Sequence, residues 1–278
     1  MSLRIFVGSG RVAALPAHDR GFAYGDGLFE TMRAHRGRLP WWDAHWTRLR
    51  DGAQRLRLAL PVETQVRGEA EALLDGGDGV LKLIVSRGEG GRGYAPPAQS
   101  LPTWTLSTHP VPAPMPREGL TLRWCATRLA IQPALAGIKH CNRLEQILAR
   151  AEWNALADLE RDADEGLMRS TEDDVICATA ANLFLLSDEG WITPKVDRSG
   201  IAGVCRAWAI ARLQAKQVRV TDADVEIAQA VFLCNAVRGI LGVARLGTRT
   251  WSPHPQVIAV QRDLGAHHPA FAIDTEVS

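Results

Sequence analysis

The most informative segment of the chain lies near its middle and reads Gly137-Ile138-Lys139-His140-Cys141-Asn142-Arg143-Leu144-Glu145-Gln146. Its lysine stands out because only four of the 32 lysine and arginine residues are lysines. Apolar and small residues precede Lys139, and a predicted helix with His140 and Arg143 in its first turns follows it. An apolar pocket and a neighbouring cation lower the pKa of a lysine amine, which imine formation requires. From spacing alone, a structural or surface role stays the more common explanation for an isolated lysine.

The other three lysines are in ordinary surroundings. Lys82 lies inside a predicted strand, Lys195 in a loop, and Lys216 at the end of a predicted helix. Each is interpreted as an ordinary surface site whose amine is solvated or snorkels to the solvent. Lys139 is therefore the candidate for chemistry.

Composition limits the class of protein. The chain has 278 residues, of which 46% are hydrophobic and 23% charged, and its net charge is +1. This length suits two domains or one large one, and this composition is that of a globular protein. Lysine and arginine are interleaved with acids, so no nucleic-acid footprint is visible. A small-molecule substrate is expected.

The N-terminus and the cysteines predict a cytoplasmic protein. Residues 1–7 predict a strand and lack the build of a signal peptide, and no run of eighteen apolar residues suggests a membrane helix. The five cysteines are widely spaced without a C-x-x-C pair, which argues against a disulfide framework or a zinc site. Cys141 and Cys177 are interpreted as inert, and His267-His268 lacks the spacing of two ligands on one helix face. No metal is expected.

The N-terminal part predicts an α+β domain. Residues 22–33 alternate apolar and polar, then a turn at 36–38 leads into 39–42, which predicts a hairpin. From Asp43, a predicted cap, apolar residues recur at helical spacing as far as Leu60. Further strands are predicted at 80–85 and 103–107.

A proline-rich stretch marks the predicted boundary between domains. Residues 110–116 include four prolines, which cannot enter a helix or a central strand. The predicted domains are residues 1–112, smaller and α+β, and residues 113–278, larger and carrying Lys139. The second has predicted strands at 120–125, 166–168, 175–187 and 231–234. Its predicted helices lie at 140–159, from Gly203 onwards, and at 257–264.

A glycine-rich segment at residues 88–93 matches G-x-G-x-x-G. A dinucleotide site needs a helix to begin directly after that motif, but Pro96 and Pro97 follow it. We therefore interpret the segment as a flexible loop that lines a pocket.

The stretch around Lys139 resembles the cofactor-lysine segment of the class IV aminotransferase family. Four more stretches resemble that family in the same order: RGFAYGDGLFET at 20–31, SRGEGGRGY at 86–94, AANLF at 180–184 and CNA at 234–236. The resemblance covers most of the chain. It implies a two-domain α+β fold of type IV, similar to D-amino acid aminotransferase, with pyridoxal 5'-phosphate between the domains as an imine on Lys139. It also implies a homodimer.

The resemblance implies the residues that hold the cofactor. Arg48, in the motif His45-Trp46-Thr47-Arg48-Leu49, corresponds to a phosphate-binding arginine, whose planar fork suits phosphate oxygens. Val204, Cys205 and Ala236 correspond to two phosphate-facing segments that act through backbone amides, the first at a helix N-terminus.

The resemblance also implies an activity. Within the family it is strongest to lyases that expel pyruvate from 4-amino-4-deoxychorismate, leaving 4-aminobenzoate for folate synthesis. Such an enzyme is coupled to the synthase that makes its substrate. Lys139 is then also the catalytic base, and Thr31, Arg92 and Tyr94 are candidates for contact with the substrate.

One position departs from the family pattern. Cys177 stands where the family has a glutamate that pairs with the pyridine nitrogen of the cofactor. Without that carboxylate the electron sink is weaker, which harms a transaminase more than a lyase whose product is aromatic. Two alternatives stay open: an aminotransferase for branched-chain or D-amino acids, and a catalytically weak protein that binds pyridoxal phosphate.

Overall fold

The computed structural model describes residues 2–155 and 162–272. The strands of this part are β1 (Leu3–Val7), β2 (Gly10–Val12), β3 (Gly27–Ala34), β4 (Gly79–Ser86), β5 (Thr103–His109), β6 (Leu120–Trp124), β7 (Glu165–Arg169), β8 (Val175–Ala178), β9 (Asn182–Ser187), β10 (Gly190–Pro194), β11 (Lys216–Val218), β12 (Ala230–Asn235), β13 (Gly239–Leu246) and β14 (Arg249–Thr250). The helices are α1 (Arg20–Tyr24), α2 (Trp42–Leu56), α3 (Glu63–Leu74), α4 (Leu144–Ala155), α5 (Val204–Leu213), α6 (Asp222–Ile227) and α7 (Pro255–His267), with a short 3₁₀ helix at Pro269–Phe271.

The chain divides into two compact units. The first comprises Met1–Pro112 together with Ile138–Asn142, and the second comprises Ala113–Gly137 and Arg143–Ser278. Residues 110–116 contain neither helix nor strand. The segment with Lys139 therefore groups with the first unit, whereas the predicted division assigned it to the C-terminal domain. The assignment of domains otherwise stays a prediction.

The first unit is an antiparallel sheet with helices α2 and α3 on one face. Its strand order is β2-β1-β5-β4-β3. Alternate residues of β3 are buried, as the period of a strand with one covered face requires. The buried side chains of the sheet and the helices form one core: Phe6, Leu28, Met32, Trp46, Leu49, Val66, Ala70, Leu81, Leu83, Trp104, Leu106 and others.

Two predictions for this unit are wrong. The turn at Arg36-Gly37 exists, with both residues at positive φ, but β3 pairs with β4 and no strand follows the turn. Pro40 has no backbone N–H to donate to a strand ladder, which disfavours a strand at residues 39–42. Helix α2 begins at Trp42, so Asp43 lies in its first turn and caps nothing. Helix α3, with Val66, Ala70 and Leu74 buried at four-residue spacing, was not predicted.

The second unit is built on a mixed sheet. Its strand order is β11-β10-β9-β12-β13-β6-β7-β8, and β14 pairs with β13. The predicted strands at 120–125 and 231–234 correspond to β6 and β12, and the predicted strand at 175–187 is two strands, β8 and β9, separated by a turn. Gly203 is the N-terminal cap of α5, as predicted, and α7 contains the predicted last helix. Lys216 begins β11 instead of ending a helix.

Helix α4 starts later than predicted. It begins at Leu144, and residues 138–142 are not helical because their backbone bonds to β3 instead. Its predicted end at Leu159 lies outside the described residues. None of the helices in the described ranges is long and apolar enough to span a bilayer.

Candidate active site

The segment that carries Lys139 is fixed to the edge of β3. Phe29 N–H donates to the Lys139 carbonyl at 3.0 Å, and Cys141 N–H donates to the Gly27 carbonyl at 2.9 Å. Ile138 is 3% exposed and packs in the core of the first unit. Neighbouring side chains of an extended segment point to opposite sides, and Lys139 Nζ lies 4.2 Å from the centre of the Phe29 ring.

Lys82 lies beside the same ring, which corrects its interpretation as an ordinary surface lysine. Its Nζ is 5.6 Å from the centre of the Phe29 ring. Lys82 is half-buried and pairs with Thr31 in the register of β3 and β4. Two of the four lysines of the chain thus share one phenylalanine. The sequence signal was present, since Lys82 alternates with Leu81 and Leu83, which are buried on the opposite face.

Arg48 is held by a buried carboxylate. Its Nε donates to Glu30 Oε1 at 2.9 Å and its Nη2 donates to Glu30 Oε2. His45 Nδ1 lies 2.6 Å from Glu30 Oε2, and because a carboxylate only accepts, this nitrogen carries the hydrogen. Glu30 is 1% exposed. The three side chains form a charged network inside the first unit.

The charges of this network follow from its burial and its partners. Burial alone would raise the pKa of Glu30, but the Arg48 charge and the His45 hydrogen bond outweigh it and hold that pKa to about 2. Burial is the largest cause that lowers the pKa of His45, the charges of Arg48 and Lys139 lower it further, and Glu30 opposes them without reversing the shift. Glu30 is therefore ionised and His45 neutral at pH 7. Glu30 was not predicted as a functional residue, although a charge between the buried Leu28 and Met32 indicates a paired site.

The predicted phosphate contact of Arg48 stays a prediction. A guanidinium has five N–H donors, and Glu30 accepts from two of them, one on Nε and one on Nη2. The Arg48 side chain retains 13% exposure.

Arg92 and Tyr94 lie in the loop between β4 and β5 of the first unit. Both are exposed, and Tyr94 is 85% exposed. No helix follows the glycine-rich motif, because residues 87–102 contain none. The loop thus lacks the helix N-terminus that a dinucleotide site needs.

In the second unit, the N-terminus of α5 provides backbone amides. Val204 and Cys205 are its first residues, and the first N–H groups of a helix have no carbonyl partner within it. Asn182 Nδ2 donates to the Ile201 carbonyl at 2.9 Å, and a Cβ at Gly203 would lie 2.1 Å from Asn182 Oδ1. Only glycine fits there. The N–H groups that begin the helix are of the kind that binds an anion such as phosphate.

The second predicted phosphate segment lies at the end of β12. Asn235 Oδ1 accepts from Val237 N–H at 3.0 Å and from Arg238 N–H at 2.8 Å, which folds a turn around Ala236. Ala236 can contribute only its backbone, as expected.

Cys177 is a buried, neutral thiol on β8. It is 7% exposed and packs with Cys125, Met168 and Ile176. Burial raises the pKa of Cys177 to about 12. A protonated thiol is a weak hydrogen-bond donor and supplies no negative charge.

The predicted site residues thus fall into two groups. Thr31, Arg48 and Lys139 are on or beside β3 and α2 in the first unit, with Arg92 and Tyr94 in a loop of that unit. The second unit holds Cys177, Val204, Cys205 and Ala236. The first group supplies an arginine and an amine that lies beside an aromatic ring. The second group supplies the backbone N–H groups of a helix that begins after a glycine. These are groups that a phosphorylated aldehyde cofactor needs.

Comparisons with known proteins identify the family of this chain. The family model described as amino-transferase class IV matches residues 27–246. An aminodeoxychorismate lyase from Vibrio harveyi is 36% identical over 83% of this chain and 86% of its own. The crystal structure of 4-amino-4-deoxychorismate lyase from Pseudomonas aeruginosa has a TM-score of 0.86 and 40% identity, covering 94% of this chain and 98% of that one.

The fold extends to more distant proteins. A hypothetical aminotransferase from Mycobacterium tuberculosis, solved in its PLP-bound form, has a TM-score of 0.77 at 21% identity, covering 95% of this chain and 98% of its own. The predicted α+β architecture of type IV pyridoxal-phosphate enzymes is confirmed. The chain belongs to the class IV aminotransferase family.

Proposed function

We propose that the protein is a lyase that converts 4-amino-4-deoxychorismate into 4-aminobenzoate and pyruvate. The observation that carries the proposal is the identity of 36% and 40% to two such lyases over most of the chain, in a fold that holds Lys139 against Phe29. Relatives named as aminotransferases are less similar. The reaction supplies 4-aminobenzoate for folate synthesis, so it depends functionally on the synthase that makes its substrate.

Lys139 is the proposed catalytic residue. Pyridoxal 5'-phosphate, when bound, supplies the aldehyde and the electron sink. Lys139 Nζ would hold the cofactor, and its amine would serve as the base that takes the ring hydrogen beside the substrate nitrogen. The apolar ring of Phe29 keeps water from one side of this amine.

Two sets of residues are the proposed phosphate contacts. Arg48, oriented by Glu30, donates charge-assisted hydrogen bonds. Val204, Cys205 and Ala236 contribute backbone N–H groups, the first two at the positive end of α5. Their side chains are not needed, which agrees with the burial of Val204 and Cys205.

Substrate recognition uses cations because the substrate carries two carboxylates. Arg92 and Lys82 are the proposed partners of these carboxylates, and Thr31 and Tyr94 complete the polar contacts. Lys82 joins the predicted residues because it pairs with Thr31 across the strands.

Cys177 favours elimination over amino transfer. Its neutral thiol would leave the ring nitrogen of a bound cofactor less protonated, which would weaken the electron sink on which transamination depends. Expulsion of pyruvate is assisted by formation of an aromatic ring and tolerates a weaker sink.

We further propose a cytoplasmic homodimer. Helix α4 exposes Leu144, Ile147 and Leu148 to 72%, 59% and 59%. These residues lie at i, i+3 and i+4, which is one face of a helix, and a large exposed apolar face is typical of an interface. A second copy of the chain is the proposed occupant.

The proposed cytoplasmic location is supported by the cysteines. All five are free thiols, as in a reducing compartment.

One coupled assay tests the activity. The protein is incubated with chorismate, glutamine and the partner synthase, and 4-aminobenzoate and pyruvate are measured, with Lys139→Ala as the control. Equal amounts of both products, absent in the control, are expected. Amino transfer to a keto acid without pyruvate release would favour the aminotransferase, and cofactor binding without either reaction would favour a binding protein.

A further inference from the structure

The buried side chain of Arg20 holds the glycine-rich loop between β4 and β5. Arg20 is the first residue of α1 and is 4% exposed. Its Nη1 donates to the carbonyls of Gly93 at 3.0 Å and Ala95 at 3.4 Å, and its Nη2 donates to the Tyr94 carbonyl at 3.1 Å. Three successive loop carbonyls thus converge on one guanidinium.

Tyr24, one turn further along α1, holds the same loop from the donor side. Gly93 N–H donates to the Tyr24 hydroxyl at 3.1 Å. The Arg20 guanidinium lies 5.0 Å from the centre of the Tyr24 ring, and the Tyr94 ring packs edge-on against it at 5.5 Å. Gly93 is therefore bound through both its N–H and its carbonyl.

The glycines of the loop fit this arrangement. A Cβ at Gly90 would lie 2.7 Å from Arg20 Cδ, so glycine makes room for the arginine. Gly93 has φ +101°, a conformation that other residues rarely adopt. Of the motif glycines, Gly90 thus makes room for Arg20 and Gly93 provides the backbone conformation, whereas a Cβ at Gly88 would lie 2.0 Å from the Leu101 carbonyl oxygen.

Asp26 fixes the guanidinium in turn, and it offers a comparison within the same network. Asp26 Oδ2 accepts from Arg20 Nε at 2.9 Å and from Arg87 Nε at 2.7 Å. Arg87 then donates to the carbonyls of Leu56 and Arg57 at the end of α2. The two arginines share one carboxylate, but Arg20 extends from it to residues 93–95, whereas Arg87 extends to α2.

We propose that Arg20 and Tyr24 form a clasp that holds residues 93–95 in place before substrate arrives, so that Arg92 and Tyr94 are presented for contact with a substrate dicarboxylate. Arg20 and Tyr24 are positioning residues, since they bind the backbone of the loop. Ordering the loop in advance removes the entropy loss on binding and so lowers KM. The identity of the substrate rests on the proposed function, whereas the order of the loop does not.

The test compares Arg20→Met and Tyr24→Phe with Arg87→Met in the holoenzyme. Trypsin cleavage of the Arg92–Gly93 bond, followed by mass spectrometry, reports the order of the loop, because cleavage tracks the opened population. Arg20→Met is expected to raise both the cleavage rate at this bond and KM by a factor on the order of ten, with kcat within about twofold. Tyr24→Phe, which keeps its ring, moves both in the same direction by less. Arg87→Met leaves cleavage at this bond and KM unchanged.

The outcomes separate the clasp from the proposed activity. The clasp would be overturned if Tyr24→Phe and folded Arg20→Met both kept the wild-type cleavage rate and KM. It would also be overturned if Arg87→Met raised the cleavage rate and KM as much as Arg20→Met does. If Arg20→Met does not fold, Tyr24→Phe alone decides by the same two measurements. A wild-type protein that releases no pyruvate would overturn the proposed activity, and trypsin cleavage would still decide whether Arg20 and Tyr24 hold the loop.

Discussion

Glu30 and Arg48 are bound to each other side by side, with Arg48 Nε 2.9 Å from Glu30 Oε1 and a second contact between Nη2 and Oε2. The arginine predicted to hold phosphate is thus itself held by a carboxylate that is 1% exposed. This pairing fixes the plane of the guanidinium, because a two-point contact defines its orientation.

Glu30→Gln should weaken binding of pyridoxal phosphate more than binding of pyridoxal, which lacks the phosphate. Loss of the fixed orientation should raise Kd for the phosphorylated form roughly tenfold or more, since a hydrogen bond to a charged group contributes about 1.5 to 3 kcal/mol. Equilibrium dialysis with both compounds measures the ratio. Glu69→Gln, which removes a partly exposed ion pair with Arg4 in the same unit, is the matched control. An equal loss of affinity for both compounds would mean that Arg48 does not bind the phosphate.

Acid should destabilise the protein through Glu30. Its pKa is lowered from 4.5 to about 2, so its contribution to stability is present above pH 4.5 and is lost as the pH falls towards 2. The difference corresponds to about 3 kcal/mol at most. Denaturant unfolding of wild type and Glu30→Gln between pH 7 and pH 3 should show a difference in free energy that shrinks as the pH falls. A constant difference would mean that the ionisation of Glu30 does not stabilise the fold.

Lys82→Met should impair substrate binding. Removal of an ammonium beside Phe29 deprives a substrate carboxylate of a partner, and KM should rise roughly tenfold, the effect of one hydrogen bond to a charged group. Steady-state kinetics of pyruvate release measure it. Lys216→Met serves as control, because that side chain is 62% exposed and pairs with Glu189. If both variants had the same KM, Lys82 would not contact the substrate and would be an ordinary surface lysine.

Cys177→Glu should raise slow transamination by a larger factor than pyruvate elimination. A carboxylate at this position would favour protonation of the ring nitrogen, which amino transfer needs more than elimination does. The two rates are measured on one preparation, after fold and cofactor content are verified, since a buried carboxylate can destabilise by itself. Cys177→Gln controls for size. If elimination rises as much as transamination, aromatisation does not relieve the need for the acid.

Local patterns in the sequence predicted several elements correctly because their physical causes are local. The alternation of β3, the spacing of Trp46, Leu49 and Ala53 in α2, and Gly203 at the start of α5 all follow from side-chain period or backbone freedom. The predicted hairpin failed because partner choice is not local: β3 pairs with β4, some 50 residues away in register.

The amino-acid sequence alone was enough to predict the family and to single out Lys139 as the candidate cofactor lysine, because the order of five short stretches is a property of the chain. Which charges meet depends on the folded structure. Glu30 finds Arg48 and His45, Lys82 comes to Phe29, and Arg20 reaches three carbonyls more than seventy residues away. Such contacts depend on strand register and on which side a residue faces. A buried charge requires a partner, but its position in the sequence does not say which one.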